Sequence, residues 1–387
     1  MPTSCVFVCG DIGRSPRMQY HAIAINHCTQ DDILMVGHHD SECISHISTL
    51  EKKQKLKIID TRPSFGGIIG EIFKILYLFT FKIFPHTIIV QNAPAIPSLL
   101  CFLILNPLLK KMKQKVILDW HNLSYTIAEK KKKNAIIVWL LKKIEQRAAK
   151  TFELQICVSK SMQIWFNHKL HVINMVHFPD APFDSCRQVE NYDEAGAFLS
   201  KFIPSLNWNS DKRPVICLSS TSWTEDERFD ILWEALEIFD TKFEDCNIHL
   251  YVFITGKGPK KSEFEKKIMC RPFHHVQILT LWLSYEEYIN LLASVDLGIC
   301  LHESTSGLDL PMKVLDMFGC KIPVVAKNYM SIGELINNEN GNVFNTPEDL
   351  FWILYSTPLK KWKDMKKSMS TYPKFIDTWQ NKCSFMF

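Results

Sequence analysis

The sequence lacks the G-x-G-x-x-G fingerprint of a dinucleotide-binding fold. After the apolar run "CVFVCG", the stretch "DIGRSPRMQYHA" (11–22) passes from a strand pattern to a helix pattern, but no third glycine follows Gly10 and Gly13. A nicotinamide-dependent dehydrogenase is therefore not expected. The loop instead carries Arg14 and Arg17, and two cations at the mouth of a strand indicate a negatively charged ligand.

Two further features are missing. None of the thirteen cysteines belongs to a C-x2-C pair, and no apolar run reaches the roughly 18–20 uninterrupted residues of a bilayer span. No secretory signal precedes the cysteines, and several of them lie inside apolar runs. We therefore expect reduced thiols and a chain that faces the cytosol.

Charge is distributed unevenly along the 387 residues. Residues 1–178 hold 23 Lys and Arg against 12 Asp and Glu, a net +11, whereas the remainder holds 22 against 29, a net −7. A basic and apolar half suits an anionic membrane surface. Two solvated domains of opposite charge that attract each other would give the same counts.

Alternating strand and helix patterns predict two doubly wound α/β domains. Six short apolar runs, and a seventh at 171–178, precede six more between 214 and 344, with helical patterns between them. Such runs are typical of parallel sheets covered on both faces, whose ligands bind at the carboxyl ends of the strands. We expect an N-terminal domain over 1–178, a polar linker over 179–212 and a C-terminal domain over 213–369.

Two apolar helical segments, 66–84 and 97–115, carry lysines. They are expected either to lie in a membrane interface, with lysines at the headgroups, or to be buried against the sheet. The interface is favoured because the first segment has more large apolar side chains than one helix face can bury. These are Phe73, Leu76, Tyr77, Phe79, Phe81 and Phe84.

Three loops of the second domain carry polar residues at strand ends. The hydroxyls of "SSTSW" (219–223) suit phosphate at a helix N-terminus, although Thr224 and Glu227 would also form an ordinary N-cap. "TGKGP" (255–259) suits a pyrophosphate or a tight turn. In "HESTSGLDLPMKVLDMFGC" (302–320), carboxylates bracket a helix start beside a small-residue loop, so Asp309 and Asp316 can grip polyol hydroxyls while loop N–H groups meet a diphosphate.

In the first domain, "QNAP" (91–94) and "DWHN" (119–122) end successive strands and share a rim with 11–17. His121 beside Asp119 is a candidate proton-handling pair. A core histidine is the alternative, although the carboxyl end of a strand is not a core position.

Five strings carry a resemblance to a known family: "GDIGRSPRMQYHA", "DWHN", "SSTSWTEDE", "TGKGP" and "SGLDLPMKVLDMFGC". They resemble the β-1,4-mannosyltransferases that add the first mannose to dolichyl-diphosphate-chitobiose, and the resemblance runs from Val6 to about Val343. It implies a GT-B fold, with two Rossmann-like domains around a cleft and a final helix near 370–387 that returns to the first domain. It also implies GDP-mannose as donor, inversion at the anomeric carbon, and no metal or other cofactor.

The resemblance places the donor in the second domain and the acceptor in the first. Asp316 matches the second carboxylate of the E-x7-E donor motif, which holds the ribose, whereas Asp309 lies one residue closer than the first. The expected donor-binding residues are Ser220, Thr221, Ser222, Trp223, Gly256, Lys257, Gly258, Trp282, His302, Ser306, Gly307, Leu308, Asp309, Lys313 and Asp316. The expected acceptor-binding residues are Gly10, Gly13, Arg14, Ser15, Arg17, Gln91, Asn92 and Trp120.

Asp11 is the preferred candidate for the base that deprotonates the acceptor hydroxyl, with His121 and Glu303 as rivals. The expected partners are dolichyl-diphosphate-chitobiose, the cytosolic face of the endoplasmic reticulum membrane and other mannosyltransferases of the pathway, but not nucleic acid. Family members often carry an N-terminal membrane anchor. Here either attachment is expected through the interfacial helices or a partner, or the true start of the protein lies upstream of the given one. A GT-B enzyme with a soluble acceptor and a non-catalytic GT-B subunit stay open as alternatives.

Overall fold

The chain divides into two compact units. The computed structural model describes residues 3–63, 65–182, 185–189, 192–204, 206, 213–245 and 247–382. One unit comprises Met1–Asp180 together with Phe375–Phe387, and the other comprises Ala181–Lys374. Each unit is built around its own parallel sheet.

Among the described residues, the first unit has seven strands, and they coincide with the seven apolar runs of its sequence. They are β1 (Thr3–Asp11), β2 (Asp32–His38), β3 (Leu56–Asp60), β4 (Thr87–Asn92), β5 (Lys115–Trp120), β6 (Leu154–Cys157) and β7 (Met175–His177). Its helices are α1 (Pro16–Thr29), α2 (Ser45–Lys52), α3 (Gly67–Phe81), α4 (Ser98–Lys111), α5 (Ser124–Lys130), α6 (Ala135–Thr151), α7 (Lys160–Leu170) and, from the end of the chain, α15 (Phe375–Lys382). The sheet order is β3-β2-β1-β4-β5-β6-β7, with every pairing parallel.

The second unit repeats this plan. Its described strands are β8 (Val215–Ser220), β9 (Leu250–Thr255), β10 (Val276–Leu281), β11 (Leu297–Cys300), β12 (Val324–Lys327) and β13 (Gly341–Phe344), in the order β10-β9-β8-β11-β12-β13. Its helices are α8 (Tyr192–Leu199), α9 (Phe229–Asp240), α10 (Lys261–Cys270), α11 (Tyr285–Ser294), α12 (Met312–Gly319), α13 (Pro347–Ser356) and α14 (Leu359–Ser368). Short 3-10 turns occur at Ile12–Arg14 and Ile332–Glu334. The prediction of two doubly wound α/β sheets is confirmed.

Local sequence explains where several helices begin. Pro16 opens α1, where its missing N–H costs nothing. The side chains of Asn134 and Ser159 cap α6 and α7 by accepting backbone N–H groups of Ile136 and Met162. The apolar faces of such helices then pack on the sheet; for example, the rings of Phe7, Phe79 and Phe102 meet edge-on at 5.0–6.1 Å.

The expected linker over 179–212 is wrong in its middle part. Helix α8 lies inside that range, and Ala195, Leu199 and Ile203 belong to the buried core of the second unit. Ala195 and Leu199 lie four residues apart on α8, which is the spacing of one helix face. This pattern is too short to distinguish the segment from a linker by sequence alone.

The apolar segments of the first unit differ in burial. On α3, the sheet side buries Ile75 and Phe79, while Phe73, Tyr77 and Phe81 are exposed, so this segment does carry more apolar side chains than one face buries. Helix α4 is instead mostly buried, with Ile104 as its large exposed residue. None of the helices in the described part of the chain is long and apolar enough to span a bilayer.

Candidate active site

Two loops of the second unit are joined at the carboxyl edge of its sheet. The loop after β8 runs back along the loop after β11 through an antiparallel bridge between Glu227 and His302. The amide of Arg228 donates to the carbonyl of Leu301 at 2.9 Å, and the amide of Glu303 donates to the carbonyl of Asp226 at 2.7 Å. These bonds hold residues 224–228 outside the helix, so α9 begins at Phe229 and the predicted N-cap at Thr224 is wrong.

His302 lies between two carboxylates at this junction. Its Nδ1 is 3.1 Å from Asp226 Oδ2, and its Nε2 is 3.1 Å from Asp309 Oδ2. Burial lowers the pKa of His302, but the hydrogen bonds to Asp226 and Asp309 outweigh burial and raise it above its ordinary value. His302 lowers the pKa of both Asp226 and Asp309 in return, against the opposing effect of burial. The arrangement therefore favours an imidazolium held by two ionised carboxylates.

The stability of the protein should depend on pH through this histidine. A group whose pKa is raised on folding stabilises the fold below its unfolded pKa, and that contribution is lost as pH rises through the folded pKa. His302→Gln should therefore cost more unfolding free energy at about pH 6 than at about pH 8.5. Urea unfolding at both pH values checks this, with His168→Gln, an exposed histidine of α7, as control. An equal cost at both pH values would contradict the charged state of His302.

The small-residue loop before α12 is folded on itself around Asp309. Ser304 and Ser306 donate to Asp309 Oδ1, the latter at 3.3 Å. The amides of Gly307 and Leu308 donate to the hydroxyls of Ser304 and Ser306 at 2.8 and 3.2 Å. These two N–H groups were expected to meet a diphosphate, and here they are already paired within the loop. Gly307 has a φ of 72°, which explains glycine at this position.

Two of the predicted donor-binding residues are lysines, one on α12 and one in the loop after β9. Lys313 on α12 is ion-paired with the buried carboxylate of Glu227. Burial lowers the pKa of Lys313, but Glu227 outweighs burial and raises it. Lys257 lies over the exposed ring of Trp282, with Nζ 4.0 Å from the ring centroid, so the predicted donor residues Lys257 and Trp282 are brought together.

The glycines of "TGKGP" serve loop packing. A Cβ on Gly256 would lie 1.8 Å from the carbonyl oxygen of Thr221, and one on Gly258 equally close to that of Ser222. The backbones of the loops after β8 and β9 are therefore in contact. The sequence interpretation had explained the two glycines by the close approach of a ligand instead. Ser220 Oγ lies 3.0 Å from the hydroxyl of Tyr288 on α11.

Three predicted residues of the second unit have other surroundings than expected. Trp223 is fully buried and stacks on Phe229, so its assignment to donor binding is wrong. Glu303 pairs with Arg228 at 3.3 Å, which restricts it as a base. Asp316 lies on α12 as predicted but is buried, and its charge acts on Tyr288.

Arg17 is the centre of a buried ion cluster in the first unit. Its Nε and Nη2 donate to the two oxygens of Asp119 at 2.8 and 2.9 Å, and its Nη1 donates to Asp180 at 2.7 Å. Its side chain is 2% exposed. The prediction that Arg17 contacts the acceptor is therefore wrong, because its guanidinium is already bound to two carboxylates. Arg14, in contrast, is exposed and lies 3.6 Å from Asp11.

Asp119 also orients two histidines. Trp379 on α15 donates to His21 Nδ1 at 2.9 Å, so the proton of His21 is on Nε2, which lies 2.9 Å from Asp119 Oδ2. His121 Nε2 lies 2.9 Å from the same oxygen, and its amide donates to the carbonyl of Asn92 at 2.6 Å. Burial raises the pKa of Asp119, but Arg17 and the histidines hold it well below its usual range. The partly exposed His121 therefore contacts an ionised carboxylate through Nε2, and Nδ1 is the nitrogen that this contact does not use.

Asp11 has a structural role in its loop. Its Oδ1 accepts the backbone N–H groups of Gly13, Asp40 and Ser41 at 3.1–3.2 Å. Burial raises the pKa of Asp11, but a hydrogen bond from the Ser41 side chain and these amide hydrogen bonds outweigh burial and lower it. A carboxylate that is both occupied and weakly basic is a poorer proton acceptor than the sequence suggested.

The other predicted acceptor residues fall into two groups. Trp120 and Asn92 are buried; Trp120 donates to Gln155 at 3.0 Å and Asn92 to Glu145 at 2.8 Å, so their assignment to acceptor contact is wrong. Gly10, Gly13, Ser15 and Gln91 are partly exposed at the carboxyl edge of the sheet. A Cβ on Gly13 would lie 2.4 Å from the carbonyl oxygen of Ser41, so its glycine identity is explained by packing.

Sequence reasoning missed the residues that complete these clusters. Glu227 was considered only as the partner of Thr224 in an N-cap, and Asp226, Arg228, Asp180 and His21 were not singled out. A possible metal site was also not foreseen. Asp245, His249 and His275 place three ligand atoms within 4.8 Å of one another, but at the amino ends of β9 and β10, opposite the loops described above.

The fold and these loops define the class of protein. Residues 212–353 match the family model described as glycosyl transferases group 1. Sucrose-phosphate synthase from Thermosynechococcus elongatus is similar over 100% of this chain and 98% of its own, with a TM-score of 0.71 and 10% identity. The structure of Anabaena HepE in complex with UDP and glucose is similar over 100% of this chain and 99% of its own, with a TM-score of 0.69 and 12% identity. The chain is a glycosyltransferase with the GT-B fold.

Curated relatives give the particular family. Chitobiosyldiphosphodolichol beta-mannosyltransferase from Mus musculus is 32% identical over 97% of this chain and 87% of its own length. The protein of that name from Yarrowia lipolytica is 35% identical over 87% of this chain and 74% of its own length. "UDP-glycosyltransferase TURAN" from Arabidopsis thaliana is 32% identical over 90% and 87%. The chain belongs to the chitobiosyldiphosphodolichol β-mannosyltransferase family, so the alternative of a non-catalytic subunit is set aside.

Proposed function

We propose that the protein transfers mannose from GDP-mannose to the chitobiose of dolichyl diphosphate, with inversion, and so forms a β-1,4 linkage. The observation that carries this proposal is the 32% identity to the Mus musculus chitobiosyldiphosphodolichol beta-mannosyltransferase over 97% of the chain. The charged loops at the carboxyl edge of the second unit support it, because they offer both cations and carboxylates for a sugar diphosphate.

In the proposed mechanism, the second unit binds the donor. Lys257 and Lys313 face the diphosphate, and the imidazolium of His302 adds a third positive charge where the leaving group develops negative charge. Asp309 and Asp316 stay the proposed partners of mannose and ribose hydroxyls, with a sugar hydroxyl replacing the loop serines at Asp309 Oδ1. Trp282 offers an exposed aromatic face beside Lys257 on which the guanine ring of the donor stacks. We propose that these side chains supply the electrophilic help without a metal, so turnover should persist in EDTA.

His121 is the proposed base. With Nε2 directed at Asp119, its Nδ1 takes the proton of the acceptor 4-hydroxyl as that oxygen attacks the anomeric carbon and GDP departs. The buried, ionised Asp119 stabilises the imidazolium that forms. Asp11 and Glu303 fit this role less well, because the first accepts three amides and the second is paired with Arg228.

Lys257→Met should weaken donor binding. The change removes the cation beside Trp282, and a hydrogen bond to a charged group contributes roughly 1.5–3 kcal/mol, so the Kd for GDP-mannose should rise roughly tenfold to a hundredfold. Isothermal titration measures this directly. Lys266→Met, an exposed lysine of α10, is the matched control and should leave the Kd unchanged. Equal affinities for both variants would remove Lys257 from the donor site.

The choice of nucleotide is tested by comparing donors, because one relative is named as a UDP-glycosyltransferase. Titration of the protein with GDP-mannose, UDP-glucose and the free diphosphates should show the tightest binding for the guanine nucleotides. Preference for the uracil nucleotides would overturn the proposed donor and favour a UDP-sugar enzyme.

We further propose that the enzyme works at the cytosolic face of the endoplasmic reticulum membrane, alongside other mannosyltransferases of the same pathway. A polyprenyl-linked acceptor cannot leave the bilayer, so the enzyme must reach the membrane surface. The excess of lysines in residues 1–178 supports this location.

A further inference from the structure

We propose that Asp245, His249 and His275 bind a zinc ion at the amino edge of the second unit's sheet. The three side chains place one ligand atom each within 4.8 Å of one another. Two imidazoles and one carboxylate are ligands that Zn²⁺ accepts readily, and a water molecule can complete a tetrahedral set. The proposal is independent of mannose transfer, because these residues belong to none of the loops at the carboxyl edge of the sheet.

The three ligand atoms need to move little to accept the ion. His249 Nε2 lies 2.8 Å from Asp245 Oδ1, and His275 Nδ1 lies 3.8 Å from the same oxygen. In a tetrahedral site with bonds of about 2.0–2.2 Å, neighbouring ligand atoms lie about 3.3–3.6 Å apart, so shifts of roughly half an ångström suffice. The ion would replace the hydrogen bond between His249 and Asp245, and also the contact of His275 Nδ1 with the carbonyl oxygen of Asn247 at 3.0 Å.

Hydrogen bonds around the three ligands already fix their positions. The amide of His249 donates to the carbonyl of His275 at 2.8 Å, which joins the two histidines through the backbone. The amide of His275 donates to the carboxylate of Asp240 at 2.6 Å. Asp245 accepts the amide and the side-chain nitrogen of Asn247 at 3.1 and 3.0 Å. Because such outer contacts orient the ligands before the ion arrives, little ordering is left for binding.

The site is enclosed on its histidine side and open on its carboxylate side. His275 is 6% exposed. The ring of Phe243 stacks on that of His249 with the centroids 3.9 Å apart, and it lies 5.5 Å from the ring of His275. Asp245 is exposed and gives the ion a route of entry from solvent.

The ion would cross-link two connections of the second unit. Asp245 and His249 lie between α9 and β9, and His275 lies between α10 and β10. An ion that binds only the folded state stabilises it. Strand β9 spans six residues, about 20 Å at roughly 3.3 Å per residue, between this site and Gly256. Loss of the ion should therefore lower stability without changing the rate of mannose transfer.

The test is calorimetric titration of the full chain with ZnCl2 after treatment with EDTA and dialysis. We expect one equivalent to bind with a Kd in the micromolar range or below, and the Tm to rise by roughly 5 °C or more at free Zn²⁺ about a hundred times the Kd. His249→Gln and Asp245→Ala should each raise the Kd at least about tenfold, because each removes a ligand. The matched controls are His274→Gln, an exposed histidine beside His275, and Cys270→Ser, which removes an exposed free thiol. Both controls should bind Zn²⁺ like the wild type.

Each variant's Tm without metal is the reference for its own shift, so a variant that is merely less stable does not imitate the loss of a ligand. The proposal is overturned if the wild type binds no equivalent, if the two ligand variants bind normally, or if either control loses as much affinity. Titration with Co²⁺ provides a second readout, because nitrogen and oxygen ligands give no thiolate charge-transfer absorption. A thiolate band that persists in His249→Gln would assign the metal to a cysteine and also overturn the proposal.

Discussion

His121→Gln is expected to lower turnover by about 10²–10⁴-fold, the usual contribution of a general base. Glutamine keeps a hydrogen bond to Asp119 within reach but cannot accept a proton at neutral pH. The donor Kd should change little, because the predicted donor residues lie in the second unit. Single-turnover kinetics with saturating donor and acceptor measure the chemical step, and titration with GDP-mannose measures binding.

Asp11→Asn and Glu303→Gln are the matched comparisons for this prediction. Each substitution replaces the carboxylate of a candidate base by an amide. Each variant should lose much less turnover than His121→Gln. Asp11→Asn should act mainly through the loop that its carboxylate holds, which thermal unfolding would reveal. If Asp11→Asn abolishes turnover at unchanged stability while His121→Gln remains active, the assignment of the base is wrong.

Arg17→Leu is expected to destabilise the first unit by about 3–5 kcal/mol, because removing one partner leaves buried charges uncompensated. Asp119 and Asp180 would lose their guanidinium partner in a site with little access to water. Urea unfolding followed by tryptophan fluorescence measures the change. Arg17→Lys, which keeps the charge but loses the two-pronged contact with Asp119, should fall between the wild type and Arg17→Leu.

Arg14→Leu is the control for Arg17. Its side chain is exposed, and surface substitutions usually change stability by no more than about 0.5 kcal/mol. A lipid-linked diphosphate bound at the loop would make Arg14→Leu raise the acceptor KM without changing stability. A stable Arg17→Leu variant with a raised acceptor KM would instead restore the direct acceptor contact that the structure contradicts.

The pair of arginines shows what a sequence can and cannot predict about this edge. The strand pattern predicts that both arginines follow the carboxyl end of β1, and it also predicts that "DWHN" lies nearby, because the carboxyl ends of parallel strands share one edge. Which arginine is buried depends on Asp119 and Asp180, which lie 102 and 163 residues away along the chain. Nothing local distinguishes Arg17 from Arg14.

The same limit applies to the donor loops and to α6. The strand ends at Ser220 and Cys300 could be predicted from the sequence. The bridge between Glu227 and His302 joins residues that lie 75 positions apart in the chain, and no local sequence pattern indicates it. The apolar start of α6 has ordinary helical periodicity. That periodicity predicts a buried face, but Ile136, Ile137, Trp139 and Leu140 are exposed in the fold.

The most direct measurement is incubation of the purified chain with GDP-mannose and phytanyl- or dolichyl-diphosphate chitobiose. We expect mass spectrometry to show a single added hexose that β-mannosidase removes. No added hexose, a product resistant to β-mannosidase, or transfer only from a UDP-sugar would contradict the proposed function.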